Sequence, residues 1–301
     1  MPPPNPPFPA SPSAPSTETV LFVKEVPVTA HHASLSTAEI AARFHAVQGM
    51  ALELGRIAMG YFTNSASLGI SMKGAQDWLT IADGKVEARF REQIAEAFPG
   101  DAVMGEEAGG AAADRLWIID PIDGTANFSR GDRMWCVSIG FVLNGRPEIG
   151  IIYAPALDEI YLACRGKGAT MNGKRINSAP TNDIARASIE IGWSPRRPLE
   201  AYLGPVRTLF EAGASVKRGA SGAMGMAHVA VGRTDAYAEA HINAWDVAAG
   251  LVIAVEAGAV ANDFCTGNWL VDGNPILVAT PGIALHVFEA AGIAFPSPAK
   301  D

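Results

Sequence analysis

The chain is 301 residues long, 49% hydrophobic and 18% charged, with a formal net charge of -8 at pH 7. That length buries a sizeable core, as one large domain or two closely packed halves. The negative balance argues against a nucleic-acid binder held through phosphate contacts, although an anionic substrate stays open because bound cations invert the charge of an acidic cleft.

Cys136, Cys164 and Cys265 are odd in number and lack CxxC spacing, which points to thiols in a reducing compartment and away from disulfides or zinc. The longest apolar stretch, 245–260, is interrupted by Asp246 and Glu256, so no membrane span is expected. The N-terminus lacks a basic region followed by an apolar one, and the expected setting is the cytoplasm.

Residues 1–30 read as a disordered Pro/Ser-rich tail, with a short extended segment at 20–28. A single domain is expected over 31–301, in two halves, 31–185 and 186–301. His31 and His32 read as a solvated pair at a helix entrance. Ser36-Thr37-Ala38-Glu39 is a capping box that opens an Ala-rich helix to about Phe62. The stretch 73–83 reads as a loop ending at a helix start, with Asp83 placed to cap a helix over 85–98.

The apolar segment 102–104 leads to Gly105-Glu106-Glu107, which by itself reads as an exposed acidic loop. Trp117-Ile118-Ile119-Asp120 then reads as a strand that breaks at Pro121, a residue with no backbone donor and a fixed φ. The kink re-aims the chain so that Asp123 converges with Asp120 and does not alternate away from it. Gly124 permits backbone geometry that a Cβ would obstruct, and its amide and that of Thr125 suit an anion. Two acids, exposed amides and a hydroxyl suit a hard divalent cation holding a phosphate oxygen.

Strands over 136–142 and 147–153 are joined around Asn144-Gly145, a hairpin signal, and a meander continues through 159–164 and Asn172-Gly173 to about Ile176. A strand at 187–192 precedes a helix at 198–212, and a small-residue turn at 217–223 opens a helix through about Val231. Gly219, Gly222 and Gly225 fit neither phosphate-loop nor dinucleotide spacing, so close helix packing explains them. A strand at 235–240 carries Glu239, which by itself reads as a solvated strand-end acid. Trp245-Asp246-Val247-Ala248-Ala249-Gly250 opens an apolar helix, where Asp246 suits the positive end of the dipole. His228 and His241 read as packing or surface residues, and the chain closes with a strand at 276–279 and a helix at 282–291. A meander followed by strands alternating with helices indicates a layered mixed α/β architecture.

The string from Trp117 to Phe128 resembles the signature of the inositol monophosphatase family, W-I-I-D-P-I-D-G-T-x-N-F. Three further motifs in family order support it: Lys73 with Asp77, Thr80 and Asp83; Gly105-Glu106-Glu107; and Trp245-Asp246 with the following Ala-Gly run. The resemblance implies a five-layer αβαβα sandwich and lithium-sensitive, Mg²⁺-dependent phosphatase activity with two or three ions per site. By residue it implies that Glu106, Asp120 and the Ile122 carbonyl hold a first metal, and Asp120, Asp123 and Asp246 a second. The amides of Gly124 and Thr125 receive phosphate, while Thr125, paired with Asp83, and Glu106 activate the attacking water. Lys73 assists a further metal or the phosphate; Ser221, Gly222 and Glu239 meet the substrate's hydroxyls.

The substrate expected on that basis is a small phosphorylated polyol, myo-inositol monophosphate first and histidinol phosphate second, hydrolysed without a covalent phosphoenzyme. Sugar bisphosphates and 3'-phosphonucleotides stand behind these. A homodimer is expected, with no nucleic-acid partner. The reading from another class is a non-catalytic protein on the same fold that binds RNA polymerase or RNA.

Overall fold

A computed structural model of the chain describes residues 34–64, 71–74 and 77–296, with side chains over 34–64 and 80–296. The tail, the segment at 20–28 and the pair His31 and His32 lie outside the described residues.

Helix α1 (Thr37–Phe62) begins at the capping box: Glu39 N–H donates to Ser36 Oγ at 3.3 Å, and Ser36 N–H to Glu39 Oε2 at 2.8 Å. The stretch 73–83, expected as a loop, instead contributes to two short antiparallel strands, β1 (Ser71–Gly74) and β2 (Asp77–Leu79), whose backbone groups pair with each other. Helix α2 (Ile81–Ala97) starts earlier than expected, because Thr80 takes the cap. Asp83 is therefore the third helical residue and reaches back to Thr80, accepting its N–H at 2.9 Å and its hydroxyl at 2.6 Å.

Strands β3 (Ala102–Gly105) and β4 (Arg115–Asp123) are parallel neighbours. After the short helix α3 (Thr125–Ser129), an antiparallel meander follows: β5 (Cys136–Leu143), β6 (Arg146–Ala154), β7 (Glu159–Cys164), β8 (Ala169–Met171) and β9 (Lys174–Arg175). Asn144 and Gly145, at φ 51° and 77°, make the first hairpin turn, and Asn172 and Gly173 the last. Together β3 to β9 form a seven-stranded sheet in sequence order.

The remainder comprises β10 (Ser188–Ile191), α4 (Glu200–Glu211), β11 (Ser215–Lys217), α5 (Gly222–Ala230), β12 (Ala236–Ile242), α6 (Ala244–Glu256), β13 (Val260–Ala261), α7 (Trp269–Asp272), β14 (Asn274–Ala279) and α8 (Ala284–Ala291). Its sheet has the order β11-β10-β12-β14-β13, parallel across the first three strands and antiparallel across the rest.

Alternation along the central strands sorts side chains into separate cores. On β5, Val137, Ile139 and Phe141 face α1 and α2, where Val47, Leu54, Phe90 and Ile94 are fully buried. On the other face Cys136 and Val142 join Met226, Val247, Val252 and Ile253 of α5 and α6, which in turn cover Tyr237 and Val278 of the smaller sheet. Ile189, Ala238 and Leu277 on that sheet's far face pack against Leu209 of α4 and Val287 and Phe288 of α8. The layers are α1/α2, large sheet, α5/α6, small sheet, α4/α8: the expected αβαβα sandwich. Each fully buried Leu, Ile, Val or Phe contributes about 1.5–3 kcal/mol.

Helix α6 approaches the large sheet where two glycines pair across it, Gly140 opposite Gly150. A Cβ on Gly140 would lie 2.7 Å from the Ala248 Cβ, and one on Gly150 would run into the Ala249 carbonyl oxygen. The helix backbone thus rests directly on the strands.

Candidate active site

Strand β4 does not end at Pro121, as expected from the sequence, but continues to Asp123 through an irregularity. Asp120 pairs with Ser138 and Asp123 with Cys136, so three steps on β4 oppose two on β5. The extra residue is a bulge, where the missing proline N–H costs no ladder bond. It also resets the alternation: residues three apart on a regular strand face opposite sides, and here both acids face one cavity.

The third carboxylate arrives from α6. Asp246 is the third residue of that helix and accepts from Asn243 N–H at 3.1 Å and Asn243 Nδ2 at 3.3 Å, closing a capping box. One oxygen from each of Asp120, Asp123 and Asp246 lies within 4.8 Å of the other two. Asp120 and Asp123 are 1% and 6% exposed, and Asp246 is partly buried.

Each acid is held by different donors. Asp120 Oδ1 accepts the Ile122 N–H at 2.9 Å. Asp123 meets the start of α5, accepting Ser221 Oγ at 2.6 Å and the N–H groups of Ala223 at 2.7 Å and Gly222 at 3.3 Å. Ser221 and Gly222 therefore brace Asp123 while lining the neighbouring cavity.

The cluster is electrostatically loaded. Burial pushes the Asp120 carboxyl well above the usual range, and the charges of Glu106, Asp123 and Asp246 add to it. Asp246 is raised to about 7, by burial and then by Asp123. Asp123 is raised by burial, against the pull of its Ser221 and amide donors. Three hard oxygen donors, each destabilised as an anion by burial, suit a small divalent cation.

Glu106 stands outside the triad of oxygens but lines the same cavity, of about 280 Å³, with Ile122, Gly124, Thr125 and Arg130. A second cavity of about 170 Å³ shares Asp123, Arg218, Ala220 and Asp246 with the first and extends to Glu190, Trp193, Tyr237 and Glu239. Glu239 is a wall of this pocket: its Oε2 accepts the Tyr237 hydroxyl at 2.6 Å, and burial raises its carboxyl to about 8. A larger cavity, about 750 Å³ beside residues 291–296, contains none of the three clustered acids.

The expected pair of Thr125 and Asp83 does not form. Thr125 Oγ1 donates to the Ile122 carbonyl at 2.9 Å, the nearer acceptor within its own turn. Asp83 spends Oδ2 on Thr80, and its buried Oδ1 has no hydrogen-bond partner among the described residues. Burial raises Asp83 to about 6, with the Glu107 charge contributing and the Thr80 bonds opposing. Lys73 stands on β1, and its side chain lies outside those described.

Other residues at the site were not singled out from the sequence. Arg218 lines both cavities, within a turn read only as small-residue packing. Asn127 donates through Nδ2 to Met134 O at 2.7 Å and Gly219 O at 2.8 Å, tying α3 to the Arg218 turn. Its signal was its place in the string from Trp117 to Phe128.

Residues 41–291 match the model of the inositol monophosphatase family. The chain belongs to that family. It is 36% identical over 213 residues to a Nus factor SuhB of Xylella fastidiosa, covering 70% of this chain and 78% of that one. It is 33% identical over 245 residues to an inositol-1-monophosphatase of Mesorhizobium japonicum, covering 80% and 92%. A crystal structure of SuhB from Bartonella henselae superposes with a TM-score of 0.78 at 28% identity, over 83% of this chain and 98% of that one. The inositol monophosphatase family thus includes relatives whose names point in two directions, toward a phosphatase and toward a Nus factor.

Proposed function

We propose that the protein is a Mg²⁺-dependent phosphatase that hydrolyses a small phosphomonoester, with myo-inositol monophosphate the first candidate. The observation that carries this is the convergence of Asp120, Asp123 and Asp246 beside a cavity that continues into a polar pocket. These three carboxylates would hold the ions, completed by Glu106 and the Ile122 carbonyl. Bound there, divalent ions neutralise phosphoryl oxygens and lower the pKa of water.

The chain's own groups do the rest. The amides of Gly124 and Thr125 receive a phosphate oxygen, and the Arg218 charge adds to their pull. Glu106 takes the proton of the attacking water, with the Thr125 hydroxyl orienting it; Lys73 assists the phosphate or a further ion. Asp123 is a poor nucleophile, since one of its oxygens already accepts two hydrogen bonds and the other a third, so no covalent phosphoenzyme is expected. The pocket bounded by Glu239, Glu190, Tyr237 and Trp193 suits a small polar alcohol as leaving group.

Two other readings have specific support. Histidinol phosphate carries a cationic leaving group that the acids of this pocket would accept. The relatives named Nus factor favour a second reading, an interaction protein that binds RNA polymerase or RNA, against our expectation of no nucleic-acid partner. Phosphate release from inositol 1-phosphate and from histidinol phosphate, with Mg²⁺ and with EDTA, separates all three. Turnover of the first that EDTA abolishes and millimolar lithium inhibits supports the proposal. A strong kcat/KM preference for the second promotes the runner-up, and turnover of no phosphomonoester favours the interaction protein. Cytoplasmic placement and a homodimer belong to the same proposal; among the described residues no helix is long and apolar enough to cross a membrane.

A further inference from the structure

Glu106 stands on a turn between β3 and β4, and what fixes that turn is a side chain from another element. Glu87, in the middle of α2, is 1% exposed and aims its carboxylate at the turn's backbone. Its Oε2 accepts the Glu107 N–H at 2.9 Å and its Oε1 the Ala108 N–H at 3.1 Å. Arg91, one helical turn on, grips Oε1 through Nε at 2.9 Å and Nη2 at 2.7 Å, and donates also to the carbonyls of Val103 and Gly109. Reciprocal backbone bonds between Gly105 and Gly109 close the turn, at 2.9 and 3.1 Å. Gly105 carries no Cβ where one would collide with the Glu87 carboxyl group.

We infer that Glu87 is a positioning residue for the metal centre: it holds the two amides that follow Glu106 and so fixes the Glu106 carboxyl at the cavity. This rests on the proposed metal-dependent function, but Glu87 itself touches neither ion nor substrate. The geometry needs a carboxylate. The two backbone N–H groups are met by separate oxygens, and a glutamine of the same volume would set an NH2 donor against one of them. Residues that orient a ligand from behind govern metal affinity, with losses typically of about 10- to 100-fold on removal.

The test compares E87Q, E106Q and the double variant in the full chain. Mn²⁺ binding is measured without substrate by electron paramagnetic resonance, alongside the melting temperature in EDTA. E87Q is expected to weaken Mn²⁺ binding about 10-fold. It should add less than about twofold on top of E106Q, because coupled residues are non-additive. G105A, whose methyl displaces the Glu87 carboxyl without removing a charge, should weaken binding in the same sense and serves if E87Q does not fold. Mn²⁺ affinity within twofold of wild type in E87Q, or in G105A where E87Q fails to fold, overturns the inference. So do effects of E87Q and E106Q that multiply. D246N separates the two levels: if it too leaves Mn²⁺ binding intact, the metal-centre reading itself fails. If it abolishes binding while E87Q does not change it, only the role of Glu87 falls.

Discussion

Asp246 works simultaneously as a helix cap and as the third member of an acid cluster, and these roles separate under substitution. Asparagine can still accept from Asn243, so Asp246→Asn should keep the far-ultraviolet circular dichroism of the wild type. Losing a charged ligand should nevertheless lower kcat/KM by at least about 100-fold, the scale seen when groups that stabilise a transition state are removed. Near-normal turnover would reduce Asp246 to its cap. The cluster also predicts proton release. With Asp246 at about 7 and Asp120 well above its usual range, the metal-free site is partly protonated at pH 6. A divalent ion must displace those protons, so affinity should rise from pH 6 to pH 8. Calorimetry in two buffers of different ionisation enthalpy measures this directly, and equal proton release at pH 6 and pH 8.5 would contradict it.

At the scale of elements, the start of α2 stores a cost. Asp83 is raised from 3.8 to about 6, so the folded state binds a proton that the unfolded state has lost between those values. Stability therefore falls as pH rises through that window, and the penalty is complete above pH 6, on the order of 3 kcal/mol at most. Asp83→Asn keeps an acceptor for Thr80 and removes the charge. In EDTA it should raise the melting temperature at pH 7 and leave it unchanged near pH 3.5, as thermal melts across that range would reveal. The difference between Asp83 and the central acids also shows how far a sequence can be read. Asp120, Asp123 and Asp246 stand in short local strings whose strand, bulge and cap chemistry is set by immediate neighbours. Glu87 looks like an ordinary helix-surface acid, since the amides it holds are Glu107 and Ala108, twenty and more residues on. The strand pair of β1 and β2, the two-residue strand β13 and the four-residue helix α7 were missed because such short pieces form only through pairing or packing with distant chain.

For the molecule as a whole, the αβαβα order follows from alternation: strands buried on both faces demand cover on both. The acids that meet at the centre come from two of those layers, β4 of the large sheet and α6 beneath it. An ion bridging them should act as a clamp. Saturating Mg²⁺ should raise the melting temperature, by about 2.7 kcal/mol of added stability at one hundred times the dissociation constant. The shift should shrink in Asp246→Asn; differential scanning calorimetry with and without EDTA reads both. Helix α6 is let down onto the sheet at the bare patch of Gly140 and Gly150, where the Ala248 methyl and the Ala249 main chain meet the strands. A larger side chain at either glycine would lift α6 from the sheet and carry Asp246 away from Asp120 and Asp123, so the reach of the acid cluster depends on two residues that belong to none of its carboxylates.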